Sequence, residues 1–197
     1  LDAAALGKYR HPVLATSTDG VGTKVDIARR MKVYATIGFD LMGMLVDDLV
    51  VVGAEPLFVT DYISCGHVDP EVIASIVKGI AQACQKAGCA LLGGETAEHP
   101  GLLAPDEFDI AGATTGVVER DEILGLERIA EGDALIAVAS SGLHSNGYSL
   151  VRHVLLEQAG WTLDRHVDEL GRTVGEELLE PTIVYAADLL ALVHHGE

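Results

Sequence analysis

Apolar positions along this chain alternate between helical and strand spacing. Residues 12–17 (PVLATS) predict a strand that runs into the turn-rich stretch DGVGTK. Residues 33–52 predict a helix, because Ile37, Leu41, Met44, Leu45 and Leu49 recur three or four residues apart and Gly53 follows as a stop. Residues 57–64 (LFVTDYIS) alternate like a strand and carry Asp61. The next helix has its signals on both ends. Asp69 is an N-cap, Pro70 takes the first helical position, and Ile73, Ile76, Val77, Ile80, Ala81 and Cys84 make an apolar face that Gly88 closes. CALLGG predicts a short buried strand ending in a glycine pair. Residues 96–107 read as a loop and residues 108–118 as another strand.

At 119–133 the pattern breaks into ERDE and EGD around short apolar pieces. A domain boundary is expected there, dividing the chain into 1–120 and 121–197. Beyond it, ALIAVAS predicts a strand leading into SSGLHSNG, a helix over about 147–159, and a last helix from near Pro181 to Gly196. Strands alternating with helices make this an α/β (α+β) chain.

Composition narrows the core. Of 197 residues, 49% are apolar but only 5% aromatic, so Val, Leu, Ile and Ala must fill it. A net charge of −17 argues against a nucleic-acid surface, which would need a basic stripe. It also means that a phosphorylated ligand beside carboxylates needs a cation such as Mg2+. The longest uncharged stretch, 134–151, holds Ser140, Ser141, His144, Ser145 and Asn146 and is too polar to span a membrane. Cys65, Cys84 and Cys89 form no C-x-x-C and read as reduced thiols of a cytoplasmic protein.

Four clusters could carry chemistry. In Asp19-Gly20-Val21-Gly22-Thr23-Lys24, glycines let backbone N–H groups approach an anion and Lys24 adds charge; a plain turn with an exposed Lys fits equally. Asp40, Asp47 and Asp48 sit on an otherwise apolar helix, where either a metal ion or a solvated polar face satisfies them, and Asp61 is similar. Gly93-Gly94-Glu95-Thr96 ends a strand, and Glu95 is a possible metal ligand. Ser140 to Gly147 places hydroxyls, the Asn146 amide and N–H groups at a helix start, with His144 the best-placed proton carrier; a capping loop is the alternative.

The ordered strings STDGVGTK (17–24), MLVDDLVVVGAEPLFVTDYIS (44–64), GCALLGGETAEHPG (88–101), DIAGATTGVVER (109–120) and SSGLHSNGYSLVR (140–152) resemble the aminoimidazole ribonucleotide synthetase family, the phosphoribosylformylglycinamidine cyclo-ligases. The resemblance implies a two-domain fold whose N-terminal mixed sheets, with flanking helices, form a barrel in a homodimer. It implies ATP, Mg2+ and the ring closure of formylglycinamidine ribonucleotide, with neither nucleic acid nor membrane as partner. Residue by residue, it places Asp19, Gly20, Gly22, Thr23, Lys24, Asp48, Gly94, Glu95, Thr96, Ser145 and Asn146 around the nucleotide. Asp19, Asp48 and Glu95 would face metal, and His144, Asp48 and Lys24 would be catalytic. Asp47 stands where many family members carry Asn. The family also runs beyond both ends of this chain, leaving the C-terminal domain incomplete. Formylglycinamidine ribonucleotide synthetase, selenophosphate synthetase and thiamine-monophosphate kinase are sister readings, and a non-catalytic binding module is a further one.

Overall fold

A computed structural model describes residues 2–195. A four-stranded sheet is built from β1 (Pro12–Gly20), β2 (Glu55–Cys65), β3 (Ala90–Glu98) and β4 (Phe108–Glu119), in the order β1-β4-β2-β3. β4 pairs antiparallel with both β1 and β2, while β2 and β3 are parallel. That one parallel pair requires a crossover, and α3 (Pro70–Ala87) supplies it. Before β2 come α1 (Lys24–Met31) and α2 (Ala35–Val50).

The α3 boundaries follow from local chemistry. The Asp69 side chain accepts from the Glu71 and Val72 N–H groups, Pro70 stands at the start, and Gly88 ends the helix at φ 72°. The apolar faces of α2 and α3 cover one face of the sheet. Ile37, Leu41, Leu45, Val59, Ile63, Ile76 and Ile80 are fully buried there. The two helices touch backbone to backbone. A Cβ on Gly38 would lie 2.2 Å from the Ile80 nitrogen, and one on Gly79 would lie 2.0 Å from the Ala35 oxygen. Gly38→Ala should therefore push the helices apart and lower stability by about 2 kcal/mol, measured by urea unfolding. An unchanged midpoint would mean that the crossing does not need glycine.

The other sheet face is uncovered, with Leu14 63% and Tyr62 41% exposed. β3 was expected to be buried, yet it is an edge strand with Leu92 and Gly93 through Thr96 exposed. It also extends to Glu98, into the expected loop.

The later part of the chain departs further from expectation. Residues 134–140 form no strand; Leu135, Ile136 and Val138 are 100%, 81% and 62% exposed. Among the described residues no strand lies beside them, and a strand pattern without a ladder partner stays irregular. The helix expected over 147–159 is α4 (Tyr148–Arg152) followed by a π-helical stretch His153–Gln158. A two-residue hairpin, β5 (His166–Val167) with β6 (Arg172–Thr173), leads into α5 (Val174–Leu178). Thr173 and Glu176 form a capping box at its start. The last helix, α6 (Ala186–His195), starts later than Pro181. Its delay has a cause on α2: Asp40 accepts from the Thr182 N–H and hydroxyl, and Asp47 from the Tyr185 N–H, so this backbone is held by carboxylates instead of a helix. Gly196, the expected helix end, lies outside the described residues. No helix among the described residues is long and apolar enough to cross a membrane.

Candidate functional site

Strand register places the first carboxylates. Asp19 of β1 pairs with Gly112 of β4, Gly112 with Asp61 of β2, and Asp61 with Gly94 of β3. These four form one row across the sheet, on the face that α2 covers, with Leu41 and Leu45 packed over Gly112. Asp19 and Asp61 therefore flank the helix. Half-burial pushes the Asp61 carboxyl above its ordinary pKa. A side chain at position 94 would displace the Asp61 carboxylate, since a Cβ on Gly94 would lie 1.9 Å from Asp61 Oδ1. Asp48, exposed on α2, reaches the same edge of the sheet and accepts from Ser17 Oγ at 3.3 Å, two residues before Asp19.

Glu95 falls elsewhere. It pairs with Tyr62, one residue beyond Asp61, so alternation turns it to the uncovered face, while Thr96 returns to the helix side. Asp19, Asp48 and Glu95 are thus not gathered into one cluster. Among the described residues no three His, Cys, Asp or Glu side chains stand together as a ready metal cage.

The glycine-rich turn leaves β1 below a second wall. Gly22, at φ 70°, has open space around it, and Thr23 Oγ1 lies 3.2 Å from Ser149 Oγ of α4. Facing it is the Ser140–Gly147 loop. Ser141 Oγ donates to the Pro181 carbonyl at 2.7 Å, and the Ser141 N–H donates to His144 Nε2 at 3.3 Å. That bond assigns the imidazole proton to Nδ1. Burial, then the nearby Lys24 charge, hold His144 below the ordinary histidine pKa, so the ring is neutral at pH 7. His144 has φ 57°, in the left-handed region that residues other than glycine rarely adopt. Ser145 is buried with its hydroxyl on Met44 Sδ, while Asn146 is exposed.

Lys24 joins these parts from beneath. Its side chain is fully buried, and Nζ donates to Asp40 Oδ1 at 2.8 Å, to the His144 carbonyl at 2.7 Å and to the Glu180 carbonyl at 2.8 Å. All three donors are in use. Of the two readings the sequence left open for Lys24, the exposed side chain of a plain turn does not hold, and as a charge for an anion it has its donors engaged inside the protein, where it is a strut that holds the His144 backbone. Asp40, the only other fully buried charge among the described residues, was grouped in the sequence with Asp47 and Asp48 and is separated from them by this role. The structure thus offers hydroxyls, open backbone and a neutral imidazole on one side, and rim carboxylates on the other. An anionic ligand accompanied by a hard cation suits that pairing.

These features define an α/β protein with a one-side-covered mixed sheet and a carboxylate rim. Solved structures with this fold include thiamine-monophosphate kinase from Stenotrophomonas maltophilia K279a, at TM-score 0.60 and 20% identity over 94% of this chain and 54% of that one. E. coli HypE, a hydrogenase maturation protein, superposes at TM-score 0.55 and 20% identity, covering 99% of this chain and 54% of that one. Identity this low shows a shared fold alone. Residues 1–118 match the family "AIR synthase related protein, N-terminal domain", and residues 130–196 match "AIR synthase related protein, C-terminal domain". The chain belongs to the AIR synthase related protein family. It is 53% identical over 196 residues to phosphoribosylformylglycinamidine cyclo-ligase of Geobacillus sp. (strain WCH70), covering 100% of this chain and 56% of that protein. It is 52% identical over 189 residues to the enzyme of the same name from Carboxydothermus hydrogenoformans, covering 96% and 55%. The chain spans about half the length of these relatives.

Proposed function

We propose that this chain is the greater part of the ATP site of a phosphoribosylformylglycinamidine cyclo-ligase, acting in de novo purine biosynthesis in the cytoplasm. The observation that carries the reading is 53% identity, spread over the whole chain, to proteins of that name. In the reaction, the formyl oxygen attacks the γ-phosphorus of ATP and ADP leaves. An amidine nitrogen then attacks the activated carbon, loses its proton, and phosphate departs as the imidazole ring closes. Little covalent chemistry falls to the protein, which must position two anions and offset charge.

The Gly20–Thr23 turn, with Asn146 nearby, offers N–H and hydroxyl donors to phosphate, and Ser145, its hydroxyl turned inward to Met44 Sδ, would have to release that contact to join them. Gly94 and Thr96 line the far side of the carboxylate row. His144 presents its Nδ1–H as a neutral donor to a developing phosphate charge. The donor set fits Mg2+, which is held by one or two carboxylates and completes its shell with phosphate and water. Asp19 and Asp48 would hold it, and it would offset phosphate charge; Glu95, on the other sheet face, is the weaker candidate. Lys24 becomes a positioning residue. The uncovered sheet face, with Leu14 and Tyr62 exposed, supports a homodimer through the N-terminal sheets, and the break after Glu119 supports division into domains at 120/121.

The test uses the full-length protein, with ADP release and ring closure followed from purified formylglycinamidine ribonucleotide. Asp48→Ala and His144→Asn should each lower turnover by ~10²-fold or more, Asn being tolerated in the left-handed backbone. Asp48→Ala should also weaken MgATP binding in calorimetry. Parent-like MgATP binding and turnover in Asp48→Ala would overturn the site. Phosphoryl transfer without cyclisation in the parent protein would favour a sister enzyme of this fold.

A further inference from the structure

Two of the three cysteines occupy one structural motif. Gly88 in the left-handed conformation ends α3, the Gly88 N–H donates to the Gln85 carbonyl, and the Cys89 N–H donates to the Cys84 carbonyl at 3.1 Å. This is the six-residue helix stop in which the first and last side chains come together, usually as an apolar contact. Here both side chains are thiols. Cys84 is buried beside Met42 Sδ, 3.6 Å away, while Cys89 is half-buried and reachable from outside. The interaction between the two neighbouring thiols holds the Cys89 pKa below its ordinary value and pushes that of Cys84 up. The more exposed sulfur is thus the readier thiolate, and the helix-stop motif brings a resolving thiol to its side. Cys65 cannot substitute. It lies seven residues along β2 from Phe58, the partner of Ala90, which is roughly 20 Å from the Cys89 end of β3.

We propose that Cys84 and Cys89 are an oxidation site, closing to an intramolecular disulfide when the protein meets a peroxide. The Cys89 thiolate attacks one peroxide oxygen and the O–O bond breaks. The hydroxide released takes the proton lost by Cys89, leaving a sulfenic acid and water. The Cys84 sulfur then attacks the Cys89 sulfur. The S–O bond breaks, and hydroxide leaves with the Cys84 proton as a second water. Two thiols are oxidised to one disulfide and one hydrogen peroxide is reduced to two waters. The bridge would tie the end of α3 to the first turn of the β3 edge, the strand that carries Gly94 against Asp61.

The full chain, folded and reduced, is treated with hydrogen peroxide, alkylated with N-ethylmaleimide and digested with trypsin. Cleavage after Lys86 separates the two thiols, so a bridge joins peptide 79–86 to peptide 87–120. The expected product is that linked pair, lighter by two hydrogens, released by dithiothreitol, with Cys65 alkylated throughout. In Cys84→Ser, Cys89 should stop at a dimedone-reactive sulfenic acid. Three results on the unsubstituted protein would overturn the proposal: Cys84 and Cys89 both fully alkylated after peroxide, Cys89 carried to sulfinic acid without a link, or a bridge that uses Cys65.

Discussion

Lys24→Met should destabilise the protein by about 3–5 kcal/mol, the cost of stranding a buried carboxylate. Lys24 and Asp40 are both fully buried and 2.8 Å apart. Burial pushes the Lys24 ammonium down and the Asp40 carboxyl up from their ordinary values, and their mutual attraction opposes both shifts. Asp40 Oδ1 already accepts from Thr182 twice, and Oδ2 is buried without a partner. The site therefore has no reserve of donors once the ammonium is gone. Lys24→Met also releases the carbonyls of His144 and Glu180, so the Ser140–Gly147 loop should become sensitive to proteolysis before the sheet unfolds. The double variant Lys24→Met with Asp40→Asn removes both charges and keeps an acceptor for Thr182. It should recover about 2 kcal/mol of the loss. Urea unfolding of the parent, both singles and the double measures the coupling. A loss below about 1 kcal/mol in Lys24→Met, the range of an exposed ion pair, would remove Lys24 from the interior.

Why the sequence leaves the burial of Lys24 unread is plain once its partners are known. GVGTK has the composition of a surface turn, and glycines predict open backbone. Its burial is set by Asp40 on the next helix and by carbonyls 120 and 156 residues away, which no local window contains. By contrast α3 is legible from end to end, because Asp69, Pro70 and Gly88 act on their own neighbours. The irregular stretch 134–140 fails for the same reason as Lys24. A strand is a relation between two segments, and alternation or apolarity in one of them does not supply the other. Glu95 is set apart from Asp19 and Asp48 by parity. Its place depends on a register shift between Val59 and Thr60 of β2, and one residue of slip exchanges the two sheet faces. Asp61 is the converse case. It was visible as a carboxylate in a strand, but only the row Asp19–Gly112–Asp61–Gly94 puts it beside the candidate site. Apolar faces and caps are local, so the fold of the first 118 residues is largely readable. The site is made where segments distant in sequence meet, and there the motif resemblance, not periodicity, points to the residues.

Asp47→Asn should raise stability from neutral pH upward, by about 1–2 kcal/mol once solvent screening of the part-exposed carboxyl is allowed for, and should leave it unchanged in acid. Asp47 lies on α2 with both oxygens on the Tyr185 N–H, at 3.1 and 3.3 Å, just ahead of α6. It caps that helix from across the interface. Hydrogen bonds from Tyr185 and Ala186 favour the charged form, yet burial outweighs them and the adjacent Asp48 adds repulsion, so the carboxyl is raised from 3.8 to about 6. The sign follows from proton binding. Between these two values the folded chain holds more protons at this site than the unfolded chain, so the contribution of Asp47 to stability falls as pH rises. It is fully present below 3.8 and lost once pH passes about 6. Asn keeps one oxygen for the Tyr185 N–H, is nearly as good a cap, and cannot ionise. Unfolding of parent and variant from pH 4 to 8 isolates this contribution, because titrations that do not interact with Asp47 cancel in their difference and Asp48 is the one neighbouring carboxylate coupled to it. That difference should climb through the interval and level off above pH 6.5, with Tm raised by roughly 2–8 °C for a chain of this size. A flat difference would mean that Asp47 is charged in the fold at little cost. A variant less stable at pH 7.5 would mean that the charge at the start of α6 outweighs its desolvation.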